Sequence, residues 1–232
     1  MKKIKTRTIV VLSFASTFCH SQAASYTYEE DATYQYEQSS SGMVLRVSAN
    51  SIDGTEGSPY LQEDWTPTII YDHNKRKKIN LLARFNTYTK EIEIAKEEKI
   101  IALKPVTYIE VRIGDKTFIP FKAPDNVKTV FAEQLTKGKI NLIKYYSAKI
   151  IKAATDAALL GIENKDKIKI TSNLYYKKEG DVFSPLPKSK NEIAQLIDND
   201  TKIFAKKNKL SYKKEGDLIE IFRQFNIKSL PQ

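Results

Sequence analysis

The chain is expected to fold as an α+β protein. Its body should be an antiparallel β-meander, a curved sheet or partial barrel, followed by a C-terminal helical segment. Three observations predict this. Residues 43–187 hold short runs of β-branched and aromatic residues with period two, separated by turn residues. The gaps between most runs are shorter than the dozen or more residues that a parallel crossover needs. From residue 188 the apolar spacing changes to that of helices.

The runs follow in order. Residues 25–42 are rich in Ser and Tyr. The alternation of Tyr26, Tyr28, Tyr34 and Tyr36 permits a strand, whereas the Gly and Ser that follow favour a flexible or irregular segment. Met43–Ser48, Thr68–Tyr71 and Lys78–Asn86 are the first strands of the body, and Glu91–Ala95 returns across a turn at Thr87–Lys90. Lys99–Leu103 and Val106–Ile113 come next. Gly114-Asp115 is a two-residue hairpin signal that leads into Lys116–Phe121. Thr129–Leu135 and Lys139–Ser147 are joined around Gly138. Ile150–Leu160 is Ala-rich and reads either as a helix or as a long loop. Lys167–Tyr176 is the last long strand, with a turn at Glu179-Gly180-Asp181.

The tail, 188–232, opens with Ser189-Lys190-Asn191-Glu192. This is capping-box spacing, in which each side chain satisfies a backbone N–H at a helix start. Ile193, Leu196 and Ile197 form an apolar stripe, which Ile203 and Phe204 extend. Asp198-Asn199-Asp200 breaks or kinks the helix between them. Ser211 is placed to cap a last helix, whose stripe is Leu218, Ile219, Ile221, Phe222 and Phe225. The hexapeptide Tyr-Lys-Lys-Glu-Gly-Asp occurs at both 176–181 and 212–217, but its flanks differ, which marks it as coincidence rather than a duplicated ligand loop.

Residues 1–24 read as a removable export signal. Lys2, Lys3, Lys5 and Arg7 precede the apolar Thr8–Phe18, and Ser21 and Ala23 suit a cut before Ala24. The apolar stretch is shorter than the roughly 20 residues a spanning helix needs. Phe18 argues against lipidation of Cys19, because a small residue normally precedes a lipidated cysteine. Without the signal, the 38 basic residues less these four stand against 28 acids, a net charge of +6. Cys19 and His20 also leave with it. The remainder has no cysteine and a single histidine, His73, which rules out a cysteine nucleophile, a thiolate metal site or a two-histidine site. No Gly-x-Ser-x-Gly elbow supports a triad on His73. Asp198-Asn199-Asp200 lacks the Gly and terminal Glu of an EF-hand, and no phosphate-binding Gly loop is present. The sequence calls for no metal or cofactor. It also predicts no enzymatic activity, and a carboxylate-based hydrolase is the one alternative that composition leaves open.

Three aromatic residues are candidate binding or structural-anchor positions. Tyr60 and Trp65 follow the turn residues Gly57 and Pro59, and Tyr88 lies in the Thr87–Lys90 turn. The pair Tyr60 and Trp65 reads either as a clamp for a sugar or peptide or as a plug at one end of the sheet. Arg84 is placed to pair with Glu91 or Glu93 across the hairpin. Such a pair is worth roughly 0.2–1 kcal/mol, enough to set register on an exposed face. Several motifs recur in a recognisable order: Gly57-Ser58-Pro59-Tyr60-Leu61, Trp65, Arg84-Phe85-Asn86, Tyr88, Glu91-Ile92-Glu93, Lys206-Lys207-Asn208-Lys209-Leu210 and Asp217-Leu218. This order resembles a group of exported proteins common in Bacteroidetes. The resemblance implies a bacterial cell-envelope protein of the periplasm or outer-membrane periphery, and it carries over no active site.

The expected role is therefore a non-enzymatic one, binding another envelope protein or serving as a structural accessory. A periplasmic carrier of lipid or another hydrophobic ligand is the alternative. The lysine clusters at 75–78, 165–169, 177–178, 188–190 and 202–214 fit either a solvated surface or contact with anionic lipid or lipopolysaccharide. Export argues against nucleic acid as the partner.

Overall fold

A computed structural model describes residues 55–72, 77–96, 99–105, 108–122, 128–153, 165–178 and 182–228. It also gives the backbone of four short strands before them. These four are β1 (Tyr26–Tyr28), β2 (Ala32–Tyr34), β3 (Tyr36–Gln38) and β4 (Met43–Arg46). Short strands thus run through 26–38, where the sequence left strand and irregular segment open. The body then consists of β5 (Thr66–Asp72), β6 (Lys77–Asn86), β7 (Glu91–Lys96), β8 (Lys99–Leu103) and β9 (Tyr108–Ile113). It continues through β10 (Lys116–Lys122), β11 (Thr129–Thr136), β12 (Asn141–Ile151), β13 (Lys167–Lys177) and β14 (Ser184–Pro185).

All ladders are antiparallel. The main sheet is 12-stranded and open, in the order β14-β13-β12-β11-β10-β9-β5-β6-β7-β8-β4-β3. It comprises two meanders, β5 to β8 and β9 to β14, joined where β5 pairs with β9, with β4 and β3 added beyond β8. Ile70 stands opposite Val111 in that ladder, and both are fully buried. The β9–β10 hairpin turns on Gly114, whose φ of 58° lies in the left-handed region that glycine tolerates.

The sheet curls back on itself. The Phe85 ring of β6 lies 4.8 Å from Phe118 of β10 and 6.2 Å from Tyr146 of β12, although β6 and β12 are distant in strand order. Ala148 of β12 also donates a backbone hydrogen bond to the Thr87 carbonyl in the β6–β7 turn, at 3.2 Å. Ala83, Ile92, Ile94, Leu103, Ile113 and Phe131 fill the enclosed face with these rings. Aromatic pairs in such geometry add roughly 0.5–1.5 kcal/mol beyond the area they bury. A second apolar group, Phe121, Ile143, Tyr175 and Phe183, packs around Phe121.

Three helices follow: α1 (Lys190–Gln195), α2 (Asn199–Lys207) and α3 (Glu215–Lys228). Ile193, Ile197, Ala205, Leu218, Ile221, Phe222 and Phe225 pack onto Ile140 and Leu142. Among the described residues, no helix is long and apolar enough to cross a membrane.

Several local expectations are corrected. Ser189 occupies the N-cap position of α1 but makes no side-chain cap, so the capping box does not form. The Asp198-Asn199-Asp200 run is a true break: Asp198 caps α2 by accepting from the Thr201 N–H at 2.7 Å. Ile203 is not in the buried stripe; it is 65% exposed. Ser211 does not cap α3. Its hydroxyl accepts from Lys213 N–H, and its own N–H donates to the Asp217 carboxylate. Ile150 and Ile151 complete β12, so the start of the Ala-rich stretch is strand, and 154–160 lies outside the described residues. His73 with its turn, the 179–181 turn and the export signal also lie outside them.

Candidate functional site

The candidate aromatics gather around the β6–β7 hairpin. Asn86, the last residue of β6, is fully buried. Its Oδ1 accepts from the N–H groups of Tyr88 and Thr89 at 3.0 and 3.1 Å, which shapes the turn. Its Nδ2 donates to Glu93 Oε1 at 3.0 Å. The hairpin register sets Arg84 directly opposite Glu93, and Arg84 Nε and Nη2 both donate to Glu93 Oε2 at 3.1 Å.

The chain before β5 covers this pair. β5 pairs with β6 only as far as Thr66 opposite Ala83. Beyond that point the segment around Tyr60 takes over the edge, with Tyr60 bridged to Asn86. Leu61 N–H donates to the Phe85 carbonyl, and Thr87 N–H and hydroxyl both donate to the Pro59 carbonyl. The residues between Leu61 and Thr66 loop outward and carry Trp65. The Arg84 guanidinium carbon lies 3.6 Å from the Tyr60 ring centroid and 4.3 Å from that of Trp65. Arg84 Nη2 also donates to the Tyr60 hydroxyl at 2.6 Å, and that hydroxyl donates to Glu93 Oε2 at 3.2 Å. Stacking on two rings and a charged fork on one carboxylate leave Arg84 little rotamer freedom.

Glu93 is fully buried and its carboxylate receives Arg84, Asn86 and Tyr60. The expectation of a solvated Glu91–Glu93 face is thereby corrected, along with the small energy that went with it. An ion pair around a fully buried carboxylate is costly to break. Tyr60 and Trp65 both lie against Arg84, and both remain half-exposed. Tyr88 is not part of the stack: its backbone, bonded to Asn86, is what joins the site. Of the two partners the sequence offered Arg84, the structure selects Glu93; what sequence reading missed is the burial of Glu93 and the role of Asn86. An Arg on a strand followed by Asn and a hairpin glutamate, with Tyr and Trp upstream, was the available signal.

The same outer face continues along β5 and β6. Pro67 stands opposite Leu82, and both are exposed, Leu82 by 45%. Ile69 and Tyr71 extend the strip on β5, and Arg112 of β9 lies 5.1 Å from the Tyr71 ring centroid. The face thus pairs a solvent-facing apolar strip with a rigid Tyr60–Arg84–Trp65 stack.

A second polar group lies on β10 to β12. Glu133 is buried, pairs with Lys116 Nζ at 2.9 Å and accepts the Tyr146 hydroxyl proton. Burial first, and then the Glu133 carboxylate, raise the Tyr146 phenol well above the ordinary tyrosine range. Among the described residues, no three His, Cys, Asp or Glu side chains gather as metal ligands would. A scan of protein-family models, a search of curated proteins and a search of solved structures each find no match to this chain.

Proposed function

We propose that this is an exported, non-enzymatic cell-envelope protein that binds another envelope protein through the outer face of β5 and β6. The observation that carries the reading is the half-exposed Tyr60–Arg84–Trp65 stack, anchored on buried Glu93 and continuous with the exposed Pro67–Leu82 pair. Aromatic and arginine side chains supply most of the energy at protein interfaces, and rigid ones lose least entropy on binding. The export-type N-terminus and the resemblance to Bacteroidetes envelope proteins favour the compartment. Glu93 serves as an internal anchor, which weighs against its use as a hydrolytic carboxylate. Ring contacts between Phe85, Phe118 and Tyr146 occupy the space inside the curled sheet, which weighs against a carrier.

Affinity capture from envelopes of the producing cell tests the reading, with wild type compared against Leu82→Asp and Trp65→Ala. A partner held by wild type and lost by both variants supports it. A partner retained by both, or a monomer with no partner at native expression, refutes it.

A further inference from the structure

The corner between α2 and α3 is the most cationic stretch in the described chain. Lys206, Lys207, Lys209, Lys213 and Lys214 are all exposed, and residues 206–214 contain no acid. Among the described residues, none of the five lies within ion-pair distance of a carboxylate. The nearby acids are engaged elsewhere: Glu215 with Lys144 Nζ at 2.9 Å, and Asp217 with the Ser211 N–H at 2.8 Å. Local helix electrostatics accounts for only part of this cluster. Lys206 and Lys207 sit in the last turn of α2, where the negative end of the helix dipole favours cations. Lys213 and Lys214 stand just before α3, whose first bond runs from Leu218 N–H to the Lys214 carbonyl. That is the positive end of a 14-residue helix, which Glu215 and Asp217 in its first turn already complement, so the dipole does not account for Lys213 and Lys214.

A second observation concerns Ile203. It is 65% exposed on α2, three and four positions before Lys206 and Lys207, and so on the same helix face. An exposed aliphatic side chain beside exposed lysines suits an anionic bilayer. The isoleucine enters the boundary between headgroups and acyl chains while the lysines meet the phosphates. We propose that the α2–α3 corner is a peripheral docking surface for an anionic phospholipid membrane. The surface lies on different elements from the β5–β6 face and does not depend on it.

The test uses the chain without residues 1–24, because that apolar leader would itself enter a bilayer and every described element lies beyond it. Sedimentation with vesicles of phosphatidylcholine containing phosphatidylglycerol is compared with vesicles of phosphatidylcholine alone. Binding is expected only to the first. Lys213→Glu with Lys214→Glu is expected to weaken it on the order of 30-fold or more, from roughly fivefold per lysine near an anionic surface. Ile203→Ser weakens it further, and thermal unfolding confirms that each variant folds. Lys149→Glu with Lys169→Glu makes the same charge change on exposed positions of β12 and β13, and is expected to leave most of the binding. Three outcomes overturn the proposal: equal binding to neutral vesicles, equal loss in the β12–β13 variant, or preferential binding of polyglutamate over anionic vesicles.

Discussion

Arg84 and Glu93 face each other across the β6–β7 hairpin, and the carboxylate they share is fully buried beneath Tyr60. Removing the cation leaves a buried carboxylate without its counter-charge, beside the neutral donors Asn86 and Tyr60. Arg84→Met is expected to cost about 3 kcal/mol, towards the lower end for buried pairs because Arg84 keeps a solvent-facing edge. Arg84→Lys should fall between, since an ammonium cannot stack on both rings. In a double-mutant cycle read by urea unfolding, Arg84→Met with Glu93→Met should cost clearly less than the two single changes added together. Additive costs would mean that the pair is not coupled.

Gly138 and Asn226 form the second coupling. Gly138 has a φ of 146°, and a Cβ placed there would come within 2.6 Å of the Asn226 side chain. Asn226 reaches from α3 to this turn, donating to the Ile140 carbonyl and accepting from the Ile140 N–H, both at 2.8 Å. Gly138→Ala is expected to destabilise by roughly 1–3 kcal/mol, from strain and displacement of that clamp. Asn226→Ala should cost a similar amount by leaving the buried Ile140 N–H unpaired, while the Ile140 carbonyl keeps the Thr136 hydroxyl. Thermal melts of the two single variants and the double variant check both, and the double should cost less than the sum.

Tyr146 predicts alkaline behaviour. Its folded pKa is raised by burial and by Glu133. An unfolded tyrosine titrates near pH 10. Below that value both states hold the proton and the stabilisation is complete. Above it the unfolded chain loses the proton while the folded chain keeps it, so stability falls as pH rises. Tyr146→Phe should flatten this alkaline loss relative to wild type. It should also cost about 1–3 kcal/mol at neutral pH, because Glu133 loses a donor. Urea midpoints at neutral pH and at about pH 11 measure both effects.

Asp166 predicts the opposite end of the scale. The Ala153 N–H first, and then Lys152, hold its carboxyl below the usual aspartate value, clasping the base of the β12–β13 ribbon. A lowered folded pKa contributes stability above the unfolded value of about 3.9 and loses it as pH falls through the folded one. The protection of the Ala153 amide, its exchange compared with an unstructured chain at the same pH, should therefore fall below about pH 4, and Asp166→Asn should remove that dependence.

Much of the strand layout could be read from the sequence. Period-two runs such as Glu91–Ala95 and the Gly114 hairpin are local signals, and local contacts decide them. The failures share one physical cause. Glu93 alternates with isoleucines as a half-exposed strand residue should, but Pro59 to Trp65 folds over it from elsewhere in the chain. Ser211 has capping chemistry in sequence, yet α3 starts only at Glu215, beyond its reach, and Ser189 stands at the N-cap position of α1 without its hydroxyl making the cap. Pairing of β5 with β9, which makes two meanders out of one, is also a long-range choice. It brings Ile70 onto Val111, and nothing near either residue announces it. Within the candidate site, the aromatics were legible because Tyr60 and Trp65 are conspicuous. Glu93 was legible only as one of two partners for Arg84, and the burial of Glu93 and Asn86 was not, because it is imposed from a distance.

The central claim is that the β5–β6 outer face is a protein-binding surface anchored by Trp65 and Arg84. Site-specific photo-crosslinking in the producing cell tests it most directly, with the reactive side chain placed at Leu82 and, as a control, at the still more exposed Val182. The account predicts one discrete adduct from position 82, absent from position 182 and lost when Trp65→Ala is added. No adduct from position 82, or the same adducts from both positions, would contradict it.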